Sequence, residues 1–236
     1  MTNNVFRRQE QKYILSEPQR QALLVLMEQK MIPDKFSRSF VRSVYYDTPD
    51  RRIIRRSLER PVYKEKLRLR SYGDASEVFL ELKKKYKGIV YKRRVSLPLE
   101  EALAYMSDPA ARLNHGQIGR EIDYVKDFYG CLEPAVYLYY DRLAWKAPDD
   151  PLRITLDWNV GYRLEDMDIT SDAPTTPLLE PGMSLLEIKT PTAMPLWLTA
   201  FLSQHGLYKQ SFSKYGNVHM QQLKQKLLES RGTTAC

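Results

Sequence analysis

The sequence is short of the residues that build metal clusters and disulfide frameworks. Its 236 residues include only two cysteines, Cys131 and Cys236, and three histidines. Two cysteines cannot form a disulfide framework or a cysteine-rich metal site. With so few soft ligands, any bound metal has to be a hard cation held mainly by oxygen atoms.

Long apolar runs are also missing. The longest, from Ala22 to Met27, is far shorter than the roughly 20 residues that a membrane helix needs. The first residues, MTNNVFRRQEQ, contain no apolar stretch of the kind that signal peptides carry. We therefore expect a cytoplasmic protein with no membrane segment in this chain.

The sequence does contain a sizeable apolar fraction and an excess of positive charge. Apolar residues make up 43%, and 37 Lys and Arg residues outnumber 29 Asp and Glu residues, for a formal net charge of +8. Such a balance points to an anionic partner, whether nucleic acid, a membrane surface or small polyphosphates. No repeat or Gly/Ser linker interrupts the chain, and only 171–181 has the composition of an exposed connection. We predict a single domain over residues 1–236.

Secondary structure follows from periodicity and capping residues. Alternating patterns predict strands at about 5–14, 37–47, 62–72, 77–86, 89–97, 135–146, 152–161 and 183–190. Helices are predicted from Ser16 onward, from Thr48 to Leu58, and at 100–106, 119–129, 195–205 and 214–229. Eight antiparallel strands with helices between them indicate an α+β fold with a large sheet or barrel.

Most of these strands have one face on which charged residues, mainly cations, line up. Residues i and i+2 share a face of a strand, so the following residues line up in sets: Lys64, Lys66, Arg68 and Arg70; Glu81, Lys83 and Lys85; Lys92 and Arg94; Arg153, Thr155 and Asp157; Glu187 and Lys189. For a single strand, a face exposed to water is the simplest explanation. Repetition of the pattern over several strands weakens that explanation. Two cations about 6 Å apart repel by roughly 3 kcal/mol at an effective dielectric near 20, so a dense cationic face costs stability unless an anion or interleaved carboxylates relieve it.

The topology decides what the cationic faces can bind. An open sheet would present them on a flat surface suited to nucleic acid. A closed barrel would turn them inward, leave the apolar faces for the helices to cover, and form a basic tunnel for a narrow, flexible anion. The acidic residues on these faces, namely Glu10, Glu81, Asp157 and Glu187, are too few to neutralise the cations.

The ordered motifs of the chain resemble those of VTC-type polyphosphate polymerase domains, which belong to the CYTH-like triphosphate tunnel metalloenzymes. The motifs are Lys12-Tyr13, Tyr45-Tyr46-Asp47-Thr48, Lys66-Leu67-Arg68-Leu69-Arg70-Ser71-Tyr72-Gly73, Glu81-Leu82-Lys83, Lys92-Arg93-Arg94-Val95, Tyr140-Asp141-Arg142, Arg153-Ile154-Thr155-Leu156-Asp157, Leu186-Glu187-Ile188-Lys189 and Phe212-Ser213-Lys214-Tyr215. Each motif alone is weak, but together they follow the family order over nearly the whole chain. The resemblance implies an eight-stranded antiparallel closed barrel.

The resemblance also implies an activity and a set of ligands. The activity is metal-dependent transfer of the ATP γ-phosphate onto a growing polyphosphate chain, with Mn²⁺ or Mg²⁺ held by Glu187. The implied phosphate ligands are Lys12, Arg68, Arg70, Lys83, Arg94, Arg142, Arg153 and Lys189, with Ser213, Lys214 and Glu10 as further substrate-binding residues. Arg94 is chosen over Arg93 because of the strand alternation. No nucleic acid is expected as a partner, and a separate membrane partner remains open.

Two other functions remain open at this stage. The same fold could act as a triphosphatase on inorganic triphosphate or a nucleoside triphosphate. Hydrolytic relatives carry Glu-x-Glu-x-Lys on the first strand, whereas this chain has Arg8-Gln9-Glu10-Gln11-Lys12, which favours a polymerase. The other alternative is a non-catalytic module that binds polyphosphate, inositol phosphates or nucleic acid.

Overall fold

The computed structural model of the protein describes residues 9–73, 76–149, 151–191 and 193–232. Their strands are β1 (Gln9–Leu15), β2 (Ile32–Asp47), β3 (Tyr63–Tyr72), β4 (Glu77–Tyr86), β5 (Ile89–Pro98), β6 (Glu133–Lys146), β7 (Arg153–Arg163), β8 (Thr176–Pro177) and β9 (Ser184–Thr190). Their helices are α1 (Glu17–Lys30), α2 (Arg52–Leu58), α3 (Leu99–Ser107), α4 (Gly116–Tyr129), α5 (Leu196–Gln204) and α6 (Lys214–Gly232). None of the helices described is long and apolar enough to span a membrane.

Local sequence features set the start of α1 and the β4–β5 turn as predicted, whereas β2 begins at Ile32 and not at the predicted residue 37. The side chain of Gln19 accepts a hydrogen bond from the backbone N–H of Ser16 at 2.9 Å, which fixes the start of α1 in a capping box. Lys87 and Gly88 both adopt positive φ, 46° and 85°, and join β4 to β5 in a two-residue turn. Positive φ at both central residues matches the twist of a tight hairpin.

All the pairings in the sheet are antiparallel, and the strand order is β1-β9-β7-β6-β2-β3-β4-β5. The α+β class is therefore confirmed. The expected closure of the barrel is not: β1 and β5 end the order, and no strand pairing joins them within the described ranges. The sheet nevertheless rolls up so far that the Glu10 carboxylate on β1 lies 3.7 Å from Lys83 Nζ on β4.

One further difference from the predicted strands concerns the connection between β7 and β9. The segment 171–181, predicted as a plain connection, contains β8, whose two residues pair with Gly161 and Tyr162 of β7. The absence of a side chain at Gly161 leaves room for Thr175, because a Cβ at position 161 would lie 2.2 Å from Thr175 Oγ1. The predicted start of the first strand, including Arg8, lies outside the described residues.

Helices cover the outer apolar faces of the sheet. Leu67 and Leu80, both fully buried, pack with Ile122 of α4 in a cluster that extends over β3, β4 and β5. On the opposite side, Leu186 packs with Leu23 of α1, in a cluster that also includes residues of α5. With the apolar faces turned outward against the helices, the alternate cationic faces turn inward.

A third apolar cluster lies on the inner face. Val41 and Tyr45 of β2 and Tyr140 of β6 pack there against Tyr215 and Val218 of α6. The ring centroids of Tyr45 and Tyr215 are 5.2 Å apart. The start of α6 is thus anchored inside the rolled sheet.

Candidate active site

A single buried carboxylate gathers the cations of β3, β4 and β5. Glu81 Oε2 accepts hydrogen bonds from Arg68 Nε at 2.8 Å and from Arg68 Nη2 at 2.7 Å. Its other oxygen lies 2.7 Å from both Arg94 Nε and Lys92 Nζ, and Arg70 Nη1 is 4.0 Å from Oε2. The Glu81 side chain is only 1% exposed. Burial opposes its charge, but the surrounding cations, led by Arg68, hold its pKa well below the ordinary value.

Strand register explains why these side chains meet. Arg68 of β3 pairs directly with Glu81 of β4, and Glu81 pairs with Arg94 of β5. Arg93, one residue earlier, turns outward and donates from Nε to Glu121 of α4 at 3.0 Å. The alternation of β5 therefore directs Arg94, not Arg93, to the interior.

Tyrosine and serine hydroxyls hold the remaining arginine donors of this cluster. Arg70 donates to Ser43 Oγ at 3.1 Å, to Tyr140 OH at 2.9 Å and to Tyr72 OH at 3.3 Å. Arg68 donates to Tyr45 OH at 2.7 Å. Burial alone would raise the pKa of Tyr45, but nearby cations, led by Arg68, lower it to about 7. These hydroxyls add to the contacts with Glu81 in fixing the orientation of both guanidinium groups.

A second group of charges forms around Asp157 and Glu187. Arg142 donates from Nε and Nη2 to the two oxygens of Asp157 at 2.6 and 2.7 Å, and Lys214 Nζ lies 2.6 Å from Oδ2. Glu187 lies 3.3 Å from Lys12 Nζ and 3.1 Å from Lys189 Nζ. Burial opposes the charge of Glu187, yet Lys12 and the other cations keep its pKa well below the ordinary value.

The segment from Phe212 to Tyr215 crosses this interior and touches several strands. The carbonyl of Phe212 accepts from Lys12 Nζ at 2.9 Å, and Tyr215 OH donates to Asp47 at 2.7 Å. Ser213 Oγ accepts from Gly216 N at 3.1 Å, which caps the start of α6, and from Lys66 Nζ at 2.7 Å. The positive end of a 19-residue helix therefore points toward the cations.

The structure brings most of the sequence-predicted residues together. The cations that converge inside the rolled sheet, called the interior cations below, are Lys12, Lys66, Arg68, Arg70, Lys83, Lys92, Arg94, Arg142, Lys189 and Lys214. Glu10, also predicted, lies between Lys12 at 3.2 Å and Lys83 at 3.7 Å. Arg153 lies apart, because its half-exposed guanidinium pairs with Asp34 at the beginning of β2.

Lys66 and Lys92 were not among the predicted ligands, although both were placed on the cationic faces. Lys92 contacts Glu81, and Lys66 contacts Ser213. The sequence did contain the necessary signal, since Lys66 has the same parity as Arg68 and Lys92 the same parity as Arg94. The tyrosine hydroxyls of Tyr45, Tyr72 and Tyr140 gave no comparable signal, because alternation places a ring but does not identify its partner.

The acidic residues do not by themselves form a metal cage. Among the described residues, no three His, Cys, Asp or Glu side chains are grouped so that they could hold an ion. Glu187 offers two carboxylate oxygens close to Lys12 and Lys189. Mg²⁺ is commonly held by one or two carboxylates together with substrate phosphates. A single carboxylate of this kind is compatible with an ion held mainly by the phosphates of a ligand.

Comparison with known proteins identifies the family of the chain. The family model described as "VTC domain" matches residues 7–222 of the chain. The chain belongs to the VTC domain family. A curated relative is vacuolar transporter chaperone complex subunit 4 of Schizosaccharomyces pombe, 27% identical over 212 residues. This match covers 70% of the present VTC chain but only 29% of the yeast protein.

Solved structures share the fold of this VTC domain at low identity. One is a putative adenylyl cyclase from Hippeastrum, described as having a dominant triphosphatase activity, at 17% identity and a TM-score of 0.55. That match covers 87% of this chain and 92% of the other. A putative adenylate cyclase from Bacillus halodurans aligns at 13% identity and a TM-score of 0.55, covering 89% of this chain and 95% of the other.

Proposed function

We propose that this VTC domain transfers the γ-phosphate of ATP onto a growing polyphosphate chain inside the rolled sheet. The observation that carries the proposal is the convergence of cations from most strands on one interior, where only a few carboxylates offset them. Arg supplies fork-shaped contacts to phosphate, and Lys supplies point charge. An extended, highly charged and flexible anion matches such a lining better than a compact ligand does.

The residues proposed to bind phosphate are Lys12, Arg68, Arg70, Lys83, Arg94, Arg142, Lys189 and Lys214, with Ser213 as a hydroxyl donor and Arg153 at the periphery. Glu10 would hold Lys12 and Lys83 in place, since it lies within 4 Å of both. Phosphoryl transfer needs in-line positioning and cancellation of charge on the nonbridging oxygens. The interior cations would cancel the charge on the nonbridging oxygens. The tyrosine and carboxylate contacts that hold these cations in place would keep the phosphates positioned in line.

Glu187 would be the protein ligand of Mn²⁺ or Mg²⁺, which would supply additional stabilisation of phosphoryl charge. The attacking group in chain extension is a phosphate oxygen, which is already ionised at pH 7. No general base is therefore assigned. A covalent enzyme intermediate is also unnecessary, because one phosphate oxygen can displace ADP from another phosphoryl group.

The test is incubation with ATP and either Mn²⁺ or Mg²⁺, with products resolved by phosphorus NMR and gel electrophoresis. A long phosphate chain is expected, whereas orthophosphate alone would indicate a triphosphatase and overturn the proposal.

Arg93 and Arg94 provide a matched pair for locating the site. Arg94→Ala should lower polymer synthesis at least about 10-fold, equivalent to about 1.4 kcal/mol of transition-state stabilisation. Arg93→Ala removes the same charge from the outer face, where its partner is Glu121, and should leave synthesis nearly unchanged. Equal effects of the two substitutions would contradict an interior site, and thermal unfolding of both variants controls for loss of structure.

A further inference from the structure

Lys66 differs from the other interior cations in having no acidic partner. Each of the others lies within 4.0 Å of a carboxylate, as given above for Glu10, Glu81, Asp157 and Glu187. Within the described part of the chain, no ion pair includes Lys66, and its hydrogen bond is to the neutral hydroxyl of Ser213 at 2.7 Å. Its ammonium charge is therefore left without a carboxylate to balance it.

The groups that face Lys66 make this charge more costly. Lys83 of β4, Lys12 of β1 and Lys64 on its own strand all act as like charges on it, whereas Tyr45 of β2 favours its charged form. Burial, reinforced by these lysines, lowers the pKa of Lys66 to about 8.

The carboxylates on the elements around Lys66 are already engaged. Asp47, at the end of β2, accepts hydrogen bonds from Thr48 N, Ile53 N, Ile54 N and Tyr215 OH. Glu10 on β1 is taken by Lys12 and Lys83. These carboxylates are therefore not available to Lys66, and Tyr45, whose phenolate would favour the charged form of Lys66, already accepts a hydrogen bond from Arg68.

A purely structural role does not account for Lys66. Ser213 Oγ already accepts the Gly216 N–H that caps α6, so the helix start is satisfied without the lysine. Replacing a partly buried ammonium group that lacks a carboxylate partner by an apolar side chain of similar length removes an unfavourable charge and no ion pair, so it should be neutral or stabilising. The arrangement therefore places an ammonium group that lacks a carboxylate partner next to the hydroxyl of Ser213.

We propose that Lys66, together with Ser213, binds one phosphate group of the polyphosphate substrate and that this phosphate completes the charge balance of Lys66. This inference rests on the proposed function and adds a ligand to it. Because a bound phosphate stabilises the ammonium form, binding should draw a proton onto Lys66 from solution. An arginine at the same position would already be charged and would take up none.

The test uses inorganic tripolyphosphate as the probe and measures binding calorimetrically at pH 8 in two buffers of different ionisation enthalpy. Lys66→Met should bind about 10-fold more weakly than the wild type, in the range expected for one lost hydrogen bond to a charged group. Lys66→Arg should retain affinity within about 3-fold yet take up about half a proton less than the wild type. Comparing Lys66→Arg with the wild type largely cancels the proton uptake by other groups of the interior.

Thermal unfolding without ligand supplies a readout of opposite sign. Lys66→Met should be at least as stable as the wild type when empty, although it binds more weakly. Lys30→Met, which removes an exposed lysine from the end of α1, serves as the control and should match the wild type in both measurements.

The outcomes separate the two proposals. Unchanged affinity and unchanged proton uptake in the Lys66 variants, alongside a wild type that binds tripolyphosphate and makes polymer, would overturn the role of Lys66 alone. A destabilised Lys66→Met with normal affinity would do the same, since it indicates a structural role. Failure of the wild type to bind tripolyphosphate at all would overturn both proposals.

Discussion

Replacing Glu81 by glutamine removes the one negative charge around which three strands arrange their cations. The substitution keeps the size and one carbonyl oxygen of the side chain, so the change is almost purely electrostatic. Arg68, Arg94 and Lys92 would lose their ion-pair partner, and Arg70 would lose its nearest carboxylate. Because the Glu81 side chain is only 1% exposed, water cannot enter freely to take its place.

The expected loss of stability is large. Removing one partner of a buried ion pair costs about 3–5 kcal/mol. The partly exposed Lys92 and Arg94 will recover some hydration, which places the estimate toward the lower end. At about 2–4 °C per kcal/mol for a chain of this size, the melting temperature should fall by roughly 6–20 °C.

The assay is thermal and denaturant unfolding of Glu81→Gln beside Glu77→Gln. Glu77 is an exposed residue of the same strand, where it accepts from Ser96 Oγ, so its loss should cost less than about 0.5 kcal/mol. Saturating tripolyphosphate should restore much of the stability of Glu81→Gln by returning negative charge to the interior. A loss below about 1 kcal/mol, or no greater rescue by tripolyphosphate than in the wild type, would refute the assigned role of Glu81.

The same variant gives a pH signature with a definite sign. The pKa of Glu81 is depressed in the folded state from an ordinary value of 4.5. Its stabilising contribution is therefore fully present above that value and is lost as the pH falls through it toward the folded-state pKa. The difference in unfolding free energy between wild type and Glu81→Gln should be constant near neutral pH and shrink on acidification below about pH 4.5. A difference that grows on acidification would contradict the reasoning.

Two further predictions concern other parts of the interior. Asp157→Asn should cost about 3–5 kcal/mol, because Arg142 and Lys214 share that carboxylate, and should speed amide hydrogen exchange at the start of α6; unchanged exchange there would show that Lys214 does not anchor the helix. The pKa of Tyr45 is about 7, because nearby cations, led by Arg68, outweigh the effect of burial. Tyr45→Phe should therefore remove one phenolate from the absorbance titration near neutral pH. An unaltered titration would contradict this pKa of Tyr45.

Strand alternation was sufficient to predict that Lys66, Arg68 and Arg70 face inward, whereas Arg153, also on a predicted cationic face, lies apart. The pattern that places Lys66, Arg68 and Arg70 on one face of β3, with Leu67 and Leu69 on the other, survives directly in the structure, where the leucines are fully buried under helices. The reason is that a period of two allows no intermediate orientation, so one buried face determines the other. Helix starts such as the one at Ser16 could also be predicted, because the capping residues that mark them are close together in the sequence.

Charge sharing could not be foreseen from the sequence. From the sequence, four carboxylates were judged too few to neutralise the cations, yet Glu81 alone forms ion pairs with Arg68, Arg94 and Lys92. Recognising this requires the register between β3, β4 and β5, which depends on tertiary packing and not on any one strand. The same limit applies to the sheet edges, since alternation cannot say whether β1 and β5 pair with each other.

The position of Phe212–Tyr215 also constrains the order in which this molecule can be assembled. The segment contacts β1, β2, β3, β7 and β9, although more than twenty residues separate it from the last of these strands. During synthesis from the N-terminus, every strand will have emerged from the ribosome before this segment is available. Until then Asp157 and Glu187 lack their ion pairs with Lys214, so the nascent sheet is without the contacts that join its strands to the start of α6.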